Sequence, residues 1–60
     1  MKIYIAEAVW NDGVKVFKTE SDAVKWLADT FYAWNDNEER DFMMAVIAGD
    51  CDIVTDYLED

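Results

Sequence analysis

The chain has 60 residues, of which 53% are hydrophobic, and it carries a formal net charge of −9. This length allows one domain, 1–60, of marginal stability, because so short a chain buries about 60% of its unfolded surface. One cysteine and no histidine exclude an internal disulfide and a zinc site. The domain must therefore be held by close packing or by association, for example as a homodimer.

Negative charge is concentrated in the second half of the chain. Residues 1–28 carry four acids and four lysines, whereas residues 29–60 carry ten acids and one arginine. Because phosphate binding depends on lysine and arginine, we expect no direct contact with nucleic acid or with an anionic membrane. The longest apolar run is seven residues, so no signal peptide or membrane span is expected. A lone thiol suits a reducing cytoplasm.

The first 18 residues predict a β-hairpin, with strands at about 2–10 and 13–18. Asn11-Asp12-Gly13 is a strong turn signal, since glycine adopts positive φ without penalty. Both faces of this hairpin are apolar, so we expect it to gain a covering layer or an added strand. One face would carry Ile3, Ile5, Val14 and Val16, and the other Tyr4, Ala6, Ala8, Trp10 and Phe17.

A first helix is predicted over about 20–35. Thr19 is its predicted N-cap, and Asp22 three residues later approximates a capping box. An apolar stripe at helical spacing should face the hairpin and place Trp34 in the core. Trp26 falls outside this stripe, which predicts an exposed aromatic side chain available to a partner. The stripe consists of Val24, Leu27, Phe31 and Trp34.

A second helix is predicted over about 38–48, capped by Asp36 or Asn37 and ended by Gly49. The residues that follow, AVIAGDCDIVTDYL, resemble the helix–turn–helix of one ankyrin repeat. The resemblance implies a helix pair within 42–58 and a third helix at about 51–59. The β-branched residues after Asp52 keep a third strand as the alternative. Either way the fold class is α+β.

No residue set predicts catalysis or a cofactor. Nucleophilic catalysis needs a serine or cysteine beside a base, and the chain has no histidine. Cys51 lies between Asp50 and Asp52, which raise a thiol pKa instead of activating the thiol. The spacing of the C-terminal acids does not fit a calcium loop. We therefore predict a protein that is not an enzyme and that binds no metal or cofactor.

The acids have two explanations that the sequence leaves open. They could form a solvated face that keeps a hydrophobic small protein soluble. They could instead form an acidic surface that occupies a basic groove in another protein, since opposite charge speeds and orients association. The candidate partner-binding residues are Asp36, Glu38, Glu39, Asp41, Asp50, Asp52, Asp56 and Trp26.

The segment KVFKTESDAVKWL, after its N-D-G turn, resembles the opening of short phage-encoded ββα proteins. Small size, acidity and the lack of a catalytic set are similar to anti-CRISPR and DNA-mimic inhibitors. That resemblance implies a stoichiometric inhibitor of a basic host protein or ribonucleoprotein complex in the host cytoplasm. The alternative is a hydrophobic interaction module, such as an antitoxin or dimeric regulator, that uses the outer hairpin face with Trp10 and Phe17.

Overall fold

The computed structural model describes residues 1–35 and 40–59 and has the predicted α+β architecture. Three strands form one sheet, and two helices connect the second strand to the third. No helix in the described ranges has the length and apolar character needed to cross a membrane. The elements are β1 Lys2–Ala8, β2 Val14–Phe17, α1 Glu20–Trp34, α2 Phe42–Ala48 and β3 Cys51–Tyr57.

The predicted hairpin is confirmed, with β1 as the central strand of an antiparallel sheet ordered β2-β1-β3. Tyr4 pairs with Phe17 on one side, and Ala6 pairs with Ile53 on the other. The turn between β1 and β2 contains Gly13 at φ 78°, a left-handed conformation that favours glycine. The expected additional strand is therefore present, and it comes from the C-terminal end of the chain.

The predicted third helix at 51–59, and with it the ankyrin-like helix pair, is wrong. These residues form β3, which pairs with β1 along its whole length, from Lys2↔Tyr57 to Ala8↔Cys51. Without β3, β1 would present a row of unpaired N–H and C=O groups at a sheet edge. Pairing satisfies these groups, and β-branched residues at 53–55 favour the strand. Gly49 at φ 80° ends α2, as predicted, and turns the chain toward β3.

Helix α1 covers one face of the sheet. Its N-cap is Thr19, as predicted, and the Thr19 hydroxyl accepts a hydrogen bond from the Asp22 N–H at 3.1 Å. Ala23 and Leu27 are buried against Ala6, which is fully buried at the centre of β1. The small side chains of Ala6 and Ala23 allow the helix to approach the sheet closely, so Leu27 fills the space between the layers.

An aromatic cluster holds the far end of α1 against the strand ends. Phe31 is fully buried, and the Trp10 ring meets it edge-on with centroids 5.3 Å apart. The Trp10 Nε1–H donates to Thr30 Oγ1 at 2.9 Å, so the half-buried indole keeps a polar partner. Trp34 stacks on Trp10 at 5.9 Å but is 52% exposed. The prediction that Trp34 lies in the core is therefore wrong.

Helix α2 begins later than predicted. It starts at Phe42, and its N-cap is Asp41, whose Oδ1 accepts from the Met44 N–H at 2.9 Å. The predicted caps, Asp36 and Asn37, lie outside the described residues and precede this start. Asp41 sits directly before the apolar run, so its carboxylate reaches a free N–H of the first turn. The helix is seven residues long, and Ala45 is its buried residue.

Within the described residues the second sheet face is largely exposed, and Ile3 is its buried residue. Val14, Val16 and Val54 lie on it and are 45–57% exposed. Ile5 is half-buried between Val16 and Val54 in the same row. Trp10 and Phe17 lie on the covered side, packed against the core. The prediction that Trp10 and Phe17 form an exposed interaction face is therefore wrong, because both rings pack against the core beneath α1.

A candidate acidic protein-binding surface

The structure describes five of the eight candidate partner-binding residues. Asp36, Glu38 and Glu39 lie outside the described residues. Asp41 is exposed but is used as the N-cap of α2. The other described candidates are Asp50, Asp52, Asp56 and Trp26.

Trp26 does not have the predicted exposed position. Its ring is half-buried and packs against Phe17, with centroids 5.8 Å apart. The Lys15 ammonium lies 5.8 Å from the centre of the same ring. Trp26 lies outside the apolar stripe of α1, but the sheet extends beyond that stripe. The Trp26 ring therefore packs on β2. The prediction of an exposed aromatic anchor at this position is wrong.

Asp50 and Asp52 lie together at one end of the sheet, beside a residue that the sequence analysis missed. Glu7 on β1 is the direct cross-strand partner of Asp52. The three acids contribute to an open pocket of about 260 Å³, together with Ala8, Val9, Gly49 and Cys51. One signal could have identified Glu7: it is the charged residue that interrupts the alternating apolar face begun by Ile3 and Ile5.

This acidic cluster, Glu7, Asp50 and Asp52, is neutralised at one position within the described residues. Arg40 forms an ion pair with Asp50. Neither Glu7 nor Asp52 has an ion-pair partner within residues 1–35 and 40–59, and both are exposed. Like charges directly opposite each other on a sheet are destabilising. The sheet therefore carries two uncompensated acids at paired positions of β1 and β3.

Two aspartates of β3 also bind the backbone at the outer edge of the sheet. Met1 and Leu58 exchange backbone hydrogen bonds, and the Val9 N–H donates to the Asp50 carbonyl. Even-numbered residues of β3 therefore bond to β1, and odd-numbered residues point their N–H groups outward. The outward N–H of Ile53 donates to Asp52 Oδ1, and that of Tyr57 donates to Asp56 Oδ1, both at 2.8 Å.

An apolar groove adjoins the acidic pocket. It has a volume of about 300 Å³ and lies between α1, α2 and β3. The acidic pocket and the groove share Cys51 and Asp52, so the two sites are adjacent at the edge of β3. The apolar lining consists of Val24, Leu27, Phe42, Met43, Val46, Cys51 and Ile53.

Cys51 is placed so that its thiol is poorly reactive. Burial raises the pKa of the Cys51 thiol, and the charges of Asp50 and then Asp52 raise the pKa further. The thiolate is the nucleophile, so a raised pKa lowers reactivity near neutral pH. This arrangement is the one predicted from the Asp-Cys-Asp sequence, with burial as the larger cause. Among the described residues no group of three or more His, Cys, Asp or Glu side chains is arranged to hold a metal ion.

We expect Asp52→Asn to make Cys51 react faster with an aromatic disulfide at pH 8. Removing one anion lowers the thiol pKa, so the pH–rate profile shifts to lower pH. The gain should stay below about tenfold, because one pKa unit changes the thiolate population tenfold and burial is unchanged. Stopped-flow absorbance measures the rate. An unchanged profile, or a folded protein as reactive as the urea-unfolded chain, would contradict this account.

Among the described residues, this surface combines exposed carboxylates, the Arg40–Asp50 ion pair and an adjoining apolar groove. Its described residues supply negative charge, carboxylates that hydrogen bonds to the backbone hold in a fixed orientation, and apolar contact area. Comparisons with protein-family models, with curated proteins and with solved structures find no match to this chain.

Proposed function

We propose that the protein binds and inhibits a basic host protein or ribonucleoprotein complex that processes nucleic acid, with its carboxylates in place of phosphates. The observation that carries this proposal is the Glu7–Asp52 pair. Two exposed acids occupy directly paired positions on β1 and β3, and no described cation forms an ion pair with either. A cationic partner would compensate both charges on binding, which favours and orients the complex.

The distribution of cations in the domain supports the same proposal. The Lys2 ammonium lies 5.6 Å from the centre of the Tyr4 ring, and the Lys15 ammonium lies over Phe17 and Trp26. These lysines are therefore held on the helix-covered side of the sheet. The acidic end of β1 and β3 stays negative, which favours rapid, salt-sensitive encounter with a basic surface.

Backbone anchoring makes the acids of β3 suitable for recognition. Each of Asp52 and Asp56 uses Oδ1 for a backbone N–H, which orients the carboxylate and leaves Oδ2 to accept from a partner. Arginine side chains bind such fixed carboxylates through charge-assisted hydrogen bonds. The resemblance to anti-CRISPR and DNA-mimic inhibitors implies a partner of this chemistry, a lysine- and arginine-lined channel.

The alternative function, a hydrophobic module such as an antitoxin or dimeric regulator, needs a different surface from the one predicted. The uncovered sheet face with Val14, Val16 and Val54 is the surface that favours it. Apolar contacts of this kind would survive added salt. Salt dependence therefore separates the two functions.

The test is affinity capture from the natural host at two salt concentrations, followed by mass spectrometry and a binding titration with the purified partner. We expect a basic partner whose affinity falls as salt rises. The Glu7→Gln/Asp52→Asn variant should bind roughly tenfold more weakly, which corresponds to about 1.4 kcal/mol for two charges. These amides preserve side-chain shape and the acceptor atom.

The matched control is Asp12→Asn/Asp29→Asn, which removes the same charge from exposed positions elsewhere on the chain. Its affinity should change less than about twofold, the effect of general electrostatics alone. Equal losses in both variants would show that overall charge, and not this cluster, matters. A partner that is acidic, or that binds independently of salt, would overturn the proposal.

A further inference from the structure

We propose that the groove between α1, α2 and β3 receives an apolar side chain from a basic amphipathic helix of the partner. This inference rests on the proposed function and names the kind of segment that the acidic surface would recognise. It assigns the specificity of binding to an apolar contact beside the acids, whereas the acids alone would attract any polycation.

The groove has the form of a side-chain site. Leu27 and Phe42 lie deep in it, buried and half-buried respectively. Val24, Met43 and Val46 line it and are 41%, 60% and 40% exposed. Its volume of about 300 Å³ is at the lower limit of ligand pockets, so it suits one or two aliphatic side chains. The unbranched, flexible side chain of Met43 can adapt to their shape.

Charge complementarity identifies the occupant as basic. Asp52 is among the residues that line the groove, and its carboxylate is held at the adjacent outer edge of β3 by the Ile53 N–H. The same residue lines the acidic pocket together with Glu7 and Asp50. A segment whose apolar residue enters the groove would therefore place neighbouring lysines or arginines beside uncompensated carboxylates.

The edge of β3 makes a helix the better fit than an added strand. A partner strand would need the outward N–H groups of β3, but Ile53 and Tyr57 already donate theirs to Asp52 and Asp56. Strand addition would have to break both hydrogen bonds. A helix needs no backbone partner, and it presents apolar and basic residues on adjacent faces one turn apart.

The test uses three synthetic helical peptides of equal length: one of leucine and lysine with an apolar face, one of leucine and glutamate, and one of lysine and alanine. Binding to the intact protein is followed by NMR, using the Met43 methyl signal and backbone amides, and by calorimetry. We expect the leucine–lysine peptide to bind and to shift Met43. The leucine–glutamate peptide should not bind, and the lysine–alanine peptide should bind at least tenfold more weakly.

Two adjacent residues of α2 provide a matched pair of variants. Val46→Asp places a charge in the groove, whereas Ile47→Asp places it on a side chain that is 82% exposed and outside the groove. Both add an acid, which by charge alone strengthens binding of a basic peptide. We expect Val46→Asp to weaken binding at least tenfold and Ile47→Asp to leave it within twofold. Should Val46→Asp unfold the protein, the near-isosteric Val46→Thr replaces it, with a smaller expected loss in the same direction.

The outcomes separate the groove from the acidic surface. If both lysine peptides bound equally and Val46→Asp had no effect, the groove would not be the binding site for an apolar side chain. The proposal that the acidic surface binds a basic partner would be unaffected. Failure of the leucine–lysine peptide to bind would contradict the inference about the groove. Capture of the host partner independently of salt would contradict the proposed function, which is a separate result. Concentration-dependent shifts of Met43 without peptide would assign the groove to a second copy of the chain, which also contradicts the inference.

Discussion

Phe31→Ala is expected to remove a large share of the protein's free energy of unfolding. The ring is fully buried, and its centroid lies 5.2–6.3 Å from those of four other aromatic rings. Truncating a buried phenylalanine costs about 3–5 kcal/mol in transfer free energy and cavity formation. A domain of this size has a total stability of roughly 3–9 kcal/mol, so the loss is comparable to the whole. The surrounding rings are Trp10, Tyr32, Trp34 and Phe42.

Urea unfolding followed by far-UV circular dichroism measures this effect without depending on the nearby tryptophans. The control is Ile47→Ala, which truncates a large aliphatic side chain that is 82% exposed on α2. Its free energy of unfolding should change by less than about 0.5 kcal/mol. A Phe31→Ala midpoint close to that of Ile47→Ala would show that the aromatic cluster is not the core described here.

Asp52→Ala/Asp56→Ala is expected to turn the outer edge of β3 into an association site. The carboxylates occupy the outward N–H groups of Ile53 and Tyr57, and alanine would leave both groups free. Free N–H and C=O groups along a strand of seven residues form a template for pairing with another chain. Sedimentation velocity over a range of protein concentrations should show species of at least twice the monomer mass.

The matched variant is Asp52→Asn/Asp56→Asn, which removes the same two charges but keeps an oxygen that accepts from the backbone. If edge occupation is the cause, the asparagine variant sediments like the parent protein and the alanine variant associates. If lost charge repulsion is the cause, both variants associate equally. Monomeric behaviour of the alanine variant at every concentration would show that these hydrogen bonds do not protect the edge.

The proposed function assigns two separable roles to the acids of β3. Their Oδ1 atoms satisfy backbone groups at the edge, a role that depends on hydrogen bonding and not on charge. Their charge, together with that of Glu7, is what a basic partner would recognise. The asparagine variant separates the roles, because it should stay monomeric while binding the partner more weakly. Solubility alone does not require the Glu7–Asp52 juxtaposition, since a solvated face can keep like charges apart.

Local sequence patterns were sufficient for the elements that depend on neighbouring residues. The N-D-G turn, the N-cap at Thr19 and the end of α2 at Gly49 each follow from backbone preferences of one or a few residues. The α+β class and the burial of Leu27 and Phe31 follow from apolar periodicity. The concentration of acids in the second half of the sequence was likewise enough to select Asp50, Asp52 and Asp56 as candidate partner-binding residues.

Tertiary structure decided the secondary structure and the neighbours of residues whose local sequence favoured two alternatives equally. Residues 51–57 could continue as helix or strand, and the free edge of β1 selected the strand because pairing satisfies its backbone groups. That pairing, in turn, placed Asp52 opposite Glu7, a neighbour that no local pattern connects to it. Trp26 and Trp34 exchanged their expected environments because the width of the sheet, and not helical spacing, determines which rings are covered. The sequence by itself thus determined the charge, the turns and most of the elements, whereas register across β1 and β3 determined which charges meet.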